Sequence, residues 1–147
     1  MISIDANILL YSYCGDSPFH QPARTFIESV AGREDVVLSE FVLAEFYLLL
    51  RNPAVLANPL AAANAVAVIG SYRKHPLWKT CGFSPRSREL HDELWKLAAG
   101  RDFARRRIYD TRTALCLIAF GVTDFATLNQ KDFLGLGFRR VWNPLDD

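Results

Sequence analysis

Apolar positions open the chain as Met1-Ile2-Ser3-Ile4, a carboxylate follows at Asp5, and a second apolar run begins at once in Asn7-Ile8-Leu9-Leu10-Tyr11. This order predicts a short buried strand over about residues 1–5 and a helix from Asn7 to about Cys14. Gly15-Asp16-Ser17-Pro18 supplies turn chemistry. A second helix is predicted from about Pro18 to Val30, with Phe26, Ile27 and Val30 turned inward, and a loop over Gly32 to Asp35. Val36-Val37-Leu38 reads as a short buried strand, and Ser39 as the N-cap of a helix reaching about Leu50.

Asn52-Pro53 and Asn58-Pro59 break the pattern before an alanine-rich helix over Leu60 to Tyr72. An irregular aromatic segment lies between His75-Pro76 and Ser84-Pro85. A helix is expected from about Arg86 to Ala99, ending at Gly100, because Leu90, Leu94, Leu97 and Ala98 keep the 3.6-residue period. Ile108-Tyr109-Asp110 then leads into a helix that closes at Gly121. Strands are predicted at Val122 to Thr127 and Phe138 to Trp142. Strands that alternate with helices favour a parallel sheet covered on both faces.

Three acids stand in unusual settings. Asp5 ends the first strand, which places it at the C-terminal edge of the sheet, where open α/β folds bind ligands. Glu45 is the only charged residue between Glu40 and Arg51, and a helix apolar all round is expected to be buried. A buried, unpaired carboxylate costs several kcal/mol. Something must therefore neutralise Glu45: a metal ion, a proton, or an arginine such as Arg51 or Arg112. Asp110 has an ordinary reading as the N-cap of the helix that follows it, which leaves room for a side chain that also faces a cleft. Asn129 and Asp132, just after the Val122–Thr127 strand, read either as a polar turn capping a short helix or as groups that bind a ligand or position water.

Together these oxygens make a hard donor set suited to Mg²⁺ or Mn²⁺. Such a site can activate water and stabilise charge on a phosphodiester. The sequence carries no nucleophile elbow, phosphate loop or dinucleotide fingerprint. His20, His75 and His91 lack metal-ligand spacing.

Composition narrows the picture further. The 147 residues suit one domain, with a longer helical and aromatic segment at about 52–85. No apolar run approaches the roughly 20 residues of a membrane span, and the first residues show no charged n-region or cleavage site. Cys14, Cys81 and Cys116 are few, scattered and odd in number, as expected of free thiols in a reducing cytoplasm. The net charge of +1 is uninformative, but seven arginines lie between Arg86 and Arg112. Their planar forks suit phosphate, an acidic partner or a solvated helix face.

The ordered pieces Ile4-Asp5-Ala6-Asn7, Glu45 in its apolar helix, Tyr109-Asp110, and Gly121-Val122 leading to Thr127-Leu128-Asn129-Gln130-Lys131-Asp132-Phe133 resemble the PIN-domain nucleases. More narrowly, they resemble the VapC-type ribonuclease toxins of prokaryotic type II toxin–antitoxin systems, and the likeness covers nearly the whole chain. It implies a three-layer α/β/α sandwich around a central parallel sheet. It also implies Mg²⁺- or Mn²⁺-dependent RNA cleavage leaving 5′-phosphate and 3′-hydroxyl ends. Asp5, Glu45 and Asp110 would then be the metal-binding acids. Asn129 would occupy the family's fourth position, where either its amide would hold a metal-bound water or Asp132 would supply the charge instead.

The implied partners are a second copy of the chain and a VapB-type antitoxin. Within Tyr72-Arg73-Lys74-His75-Pro76-Leu77-Trp78, basic and aromatic side chains alternate as RNA contacts do, with Arg73 and Lys74 as the phosphate-binding candidates. The same segment reads equally as a flap packed on the core or at a dimer interface. Arg107 and Arg112 are further candidates for the RNA backbone. Two rival functions follow from the same residues. One is another metal-dependent phosphoesterase, although Asn7 stands where an Asp-x-Asp phosphatase has its second acid. The other is a catalytically silent RNA- or protein-binding module.

Overall fold

Residues 1–146 are described by a computed structural model. Its elements are β1 (Ile2–Ile4), α1 (Ala6–Tyr13), α2 (His20–Val30), β2 (Val37–Ser39), α3 (Glu40–Leu50), α4 (Ala62–Arg73), β3 (Lys79–Cys81), α5 (Ser87–Ala98), α6 (Ile108–Phe120), β4 (Asp124–Ala126) and β5 (Arg140–Trp142). Two 3₁₀ turns, Arg105–Arg107 and Gln130–Asp132, precede α6 and follow β4.

All strand pairs are parallel. One ladder runs β1-β4-β5 and another β2-β3, and a parallel bridge between Ile2 and Val36 joins them. The resulting order is β3-β2-β1-β4-β5, with β1 in the middle. The chain fills one side of β1 first and the other side afterwards. The direction of winding thus reverses beside β1, and the crevice at the C-terminal ends of the strands opens there.

Alternation along each strand divides the core into two layers. Ile2, Ile4, Val36, Leu38 and Ala126 pack with α1, α3 and α4 on one face. Val37, Cys81 and Phe125 pack with Ala114 and Leu117 of α6 on the other. This is the three-layer arrangement expected from the sequence. Phe125 is fully buried, with its ring 4.6 Å from that of Phe133 and 5.2 Å from that of Phe138. Phe125→Ala is expected to cost about 3–5 kcal/mol, measured as a lower urea midpoint at an unchanged slope.

Local chemistry sets several boundaries. The Ser39 hydroxyl accepts from the Phe41 amide at 3.1 Å, as its N-cap reading requires. Gly121 ends α6 in a left-handed conformation, φ +112°, and a Cβ there would lie 2.6 Å from Met1 Cε. The left-handed backbone favours glycine, whereas the Met1 methyl, at the end of a flexible side chain, could move aside.

Three expectations change. β3 lies inside the segment expected to be irregular. As a three-residue edge strand with only Cys81 buried, it gives almost no apolar alternation to read. Second, α3 is not buried all round: Ala44, Glu45 and Leu48 are exposed, because the helix leaves one side open towards α4 and another towards the crevice. Third, the rings of the Tyr72–Trp78 segment belong to the core. Trp78 is buried and its indole N–H donates to the Val30 carbonyl at 3.3 Å. Its ring stacks against Tyr72 at 6.3 Å and His75 at 4.3 Å. The flap reading describes this segment, and its rings are not free to stack on bases. The three cysteines are free thiols. Among the described residues no helix is long and apolar enough to cross a membrane.

Candidate functional site

β1 delivers Asp5 to the crevice. The Asp5 amide donates to the Ala126 carbonyl at 2.9 Å, which extends the β1–β4 ladder by one residue and fixes the backbone there. The carboxylate then caps α1 by accepting from the Ala6 amide at 2.7 Å through Oδ1. Its other oxygen, Oδ2, accepts from the Thr127 hydroxyl at 2.6 Å. Thr127 Oγ1 in turn accepts from the Asn129 amide at 2.9 Å. One threonine thus couples the acid at the end of β1 to the loop that carries Asn129.

α3 brings Glu45 to the opposite wall, and α6 brings Asp110. Asp5, Asn7, Glu45, Asp110 and Asn129 line one cleft, together with Leu10, Tyr11, Leu49 and Val55. Asp110 sits in the first turn of α6, three residues past the N-cap position, which Arg107 occupies. Its presence is therefore not explained by capping. Asp132 stands on the 3₁₀ turn beside the cleft, near enough for its charge to act on both Asp5 and Asp110.

Electrostatics mark this cleft out from the rest of the chain. Burial pushes the Asp5 carboxyl up to about 6 despite the lowering effect of the Thr127 and Ala6 hydrogen bonds, and the charges of Asp110 and Asp132 add to the rise. Glu45 is more open to solvent, yet the desolvation of its carboxyl in the cleft, followed by repulsion from Asp5 and Asp110, pushes it up to about 7. Asp110 is also raised, first by burial and then by Asp132, with Arg107 pulling the other way. No arginine or lysine forms an ion pair with Asp5, Glu45 or Asp110 among the described residues. The arginines proposed as partners of Glu45 are engaged elsewhere. Arg51 donates to the Tyr47 hydroxyl at 2.9 Å, and Arg112 stacks over Phe41 and Tyr109.

An uncompensated cluster of acids fits a divalent cation. A second observation points the same way: Asn7 Oδ1, on the cleft wall, is buried without a hydrogen-bond donor. The acids nevertheless do not form a closed cage. Among the described residues, no three histidine, cysteine, aspartate or glutamate side chains stand close enough together to grip an ion. Magnesium tolerates such an arrangement, because it keeps several waters and takes few protein ligands directly.

The arginine and lysine candidates are dispersed. Arg107 reaches over the 3₁₀ turn to donate to the Asp132 carbonyl at 3.0 Å, at the cleft's edge. Arg73 is tied to Glu40 at 3.0 Å, and Lys74 is exposed at the end of α4. The sequence reading did not single out the Thr127 hydroxyl or the Asn7 side-chain oxygen. The one available signal was a threonine at the end of a buried strand, two residues before Asn129.

Comparison with known proteins agrees with this architecture. The PIN domain family model matches residues 2–115. Ribonuclease VapC24 of Mycobacterium tuberculosis, in strains CDC 1551 and H37Rv alike, is 44% identical over 145 residues, covering 99% of this chain and 97% of its own length. Among solved structures, VapC20 of Mycobacterium tuberculosis, a sarcin–ricin-loop-cleaving toxin, superposes with a TM-score of 0.69 at 17% identity, covering 94% of this chain and 96% of its own. VapBC2 of Rickettsia felis, solved bound to a DNA fragment from its promoter, gives a TM-score of 0.65 at 17% identity over 97% and 98%. With the fold, the order of the acids and a full-length relative in agreement, the chain belongs to the PIN domain family, among its VapC-type proteins.

Proposed function

We propose that the chain is a metal-dependent endoribonuclease and the toxin of a toxin–antitoxin pair, acting in the cytoplasm on structured cellular RNA such as tRNA or rRNA. The observation that carries this reading is the convergence of Asp5, Glu45 and Asp110 on one cleft with no ion pair to any of them among the described residues. The full-length likeness to a named ribonuclease supports the choice of RNA as substrate. Its partners under this reading are RNA, a VapB-type antitoxin and a second copy of the chain. The antitoxin is supported by the shared fold of VapBC2.

Asp5, Glu45 and Asp110 would hold Mg²⁺ or Mn²⁺. When bound, such an ion supplies positive charge against the negative charge that builds on the phosphodiester during hydrolysis. The chain's own residues do the positioning. Thr127 fixes one oxygen of Asp5 and the Ala6 amide the other, which sets the orientation of the carboxylate at the cleft wall. Asn129, held by the same hydroxyl, places its amide where a water can be oriented. Asn7 offers a free acceptor oxygen, and Arg107 sits at the rim, where a backbone phosphate would lie.

Cleavage of a fluorogenic single-stranded oligoribonucleotide tests the reading. Activity is expected to vanish in chelator and to return with Mg²⁺ or Mn²⁺. At limiting metal it should rise between about pH 5 and about pH 8, because protons compete with the cation for carboxyls that titrate near 6 and 7. Cleavage that persists in chelator would sink the proposal.

A further inference from the structure

Beside the cleft, a row of flat groups runs from the loop after β3 to the first turn of α6. Phe83 is 93% exposed and meets Phe41 edge-on, with ring centroids 5.5 Å apart. The Arg112 guanidinium lies over the Phe41 ring at 4.9 Å and over the Tyr109 ring at 5.2 Å. Tyr109, 67% exposed, ends the row. The row adjoins two cleft acids along their helices, without lining the cleft itself: Phe41 is one turn before Glu45 on α3, and Tyr109 immediately precedes Asp110 on α6, while Phe83 lines a neighbouring hollow beside α6.

Burial does not explain these side chains, since the two end rings are largely in water. Ion pairing does not explain Arg112, which has no carboxylate within ion-pair distance among the described residues. A cation over two rings, with exposed aromatic rings at both ends of the row, complements a ligand that is both anionic and planar. Unpaired nucleotides have that chemistry, because every base offers a π face and every linkage a negative charge.

Resting on the nuclease reading above, we propose that Tyr109 and Phe83, braced by Arg112 and Phe41, form a stacking platform that holds unpaired bases of the RNA next to the scissile phosphate. The platform selects single-stranded or looped RNA, because paired bases keep their faces inside the helix. Tyr109 and Phe83 act as positioning residues, and they take the place that the buried Tyr72–Trp78 rings cannot fill.

The test measures binding in an Asp5→Asn background, so that the RNA stays uncut. The probes are a labelled single-stranded oligoribonucleotide and a matched oligomer with abasic sugars and the same phosphates. Tyr109→Ala and Phe83→Ala are each expected to weaken binding of the intact oligomer about fivefold to a hundredfold. They should leave the abasic oligomer and the salt slope unchanged, while Tyr109→Phe binds as the parent does. Parent-like binding by both alanine variants overturns the platform, and so does an equal loss on the abasic oligomer. A changed sedimentation coefficient in the alanine variants also overturns it, assigning these rings to contact with a second copy of the chain. If the parent itself binds no RNA, the nuclease reading falls and the platform with it. If the parent binds and the rings prove irrelevant, the platform alone falls.

Discussion

Asp5→Asn is expected to eliminate RNA cleavage and, at the same time, to stabilise the metal-free protein at pH 8. The loss of activity should exceed about a hundredfold, because removing a mere supporting partner of a metal ligand already costs about 10- to 100-fold. The gain in stability follows from linkage. Asp5 titrates near 6 in the folded protein and near 3.8 when unfolded, so the folded state holds its proton more tightly. The stability this proton lends is fully present below about pH 4 and is lost as pH rises through about 6. That difference amounts to about 3 kcal/mol in the metal-free protein above pH 7.

Asparagine carries no charge, but its NH₂ cannot accept the hydrogen bond that the Thr127 hydroxyl now donates to Oδ2. The net gain is therefore about 1–2 kcal/mol. Urea unfolding in chelator at pH 8 and at pH 4 checks it: the variant should unfold later than wild type at pH 8 and lose that advantage at pH 4. A variant less stable than wild type at pH 8 would mean that the protein itself already balances the charge of Asp5.

Thr127→Val has the second-largest expected effect. The substitution keeps the shape of a fully buried side chain and removes only its hydroxyl. Asp5 then loses its 2.6 Å donor, and the Asn129 amide loses its 2.9 Å acceptor. A hydrogen bond to a charged group contributes about 1.5–3 kcal/mol, and cleavage at pH 7 should fall about 10- to 100-fold. The direction of the pH effect distinguishes this role from general damage. The Thr127 bond is the largest influence holding Asp5 down, so without it the carboxyl titrates higher and the acid limb of the activity profile moves to higher pH. Part of the loss should return at pH 9, and Thr127→Ser should behave nearly as wild type. An unshifted profile would assign Thr127 a packing role alone.

Strand–helix alternation was legible because Ile2-Ser3-Ile4 and Val36-Val37-Leu38 are short, mostly apolar triplets between polar residues, and because the α2 and α5 patterns keep the helical period. Asp5 stood out because a carboxylate at the end of such a triplet has nowhere to go but the sheet edge. Glu45 stood out for a reason only half right. Its apolar neighbours suggested a buried helix, yet α3 keeps two sides partly open, and Glu45 occupies the one facing the cleft. Composition cannot tell a helix that is apolar because it is enclosed from one that is apolar because it lines grooves.

The contacts of Thr127 and Arg112 escaped for another reason, although Arg112 itself stood among the candidates. Their partners, Asp5 and Phe41, lie 122 and 71 positions away, and contacts of that span leave no periodic trace in a single sequence. β3 was missed because an edge strand with one buried residue carries too little hydrophobic contrast.

The central position of β1 also has a bearing on biosynthesis. During synthesis β1 finds its β4 neighbour only when residues 124–126 are available, and the hydroxyl that orients Asp5 comes one residue later. A nascent or prematurely terminated polypeptide lacking those last segments carries Asp5, Glu45 and even Asp110 but lacks the β4 ladder and the hydroxyl that fix Asp5 at the sheet edge. Under the proposed function, RNA cleavage is therefore expected only from a polypeptide that extends past Thr127.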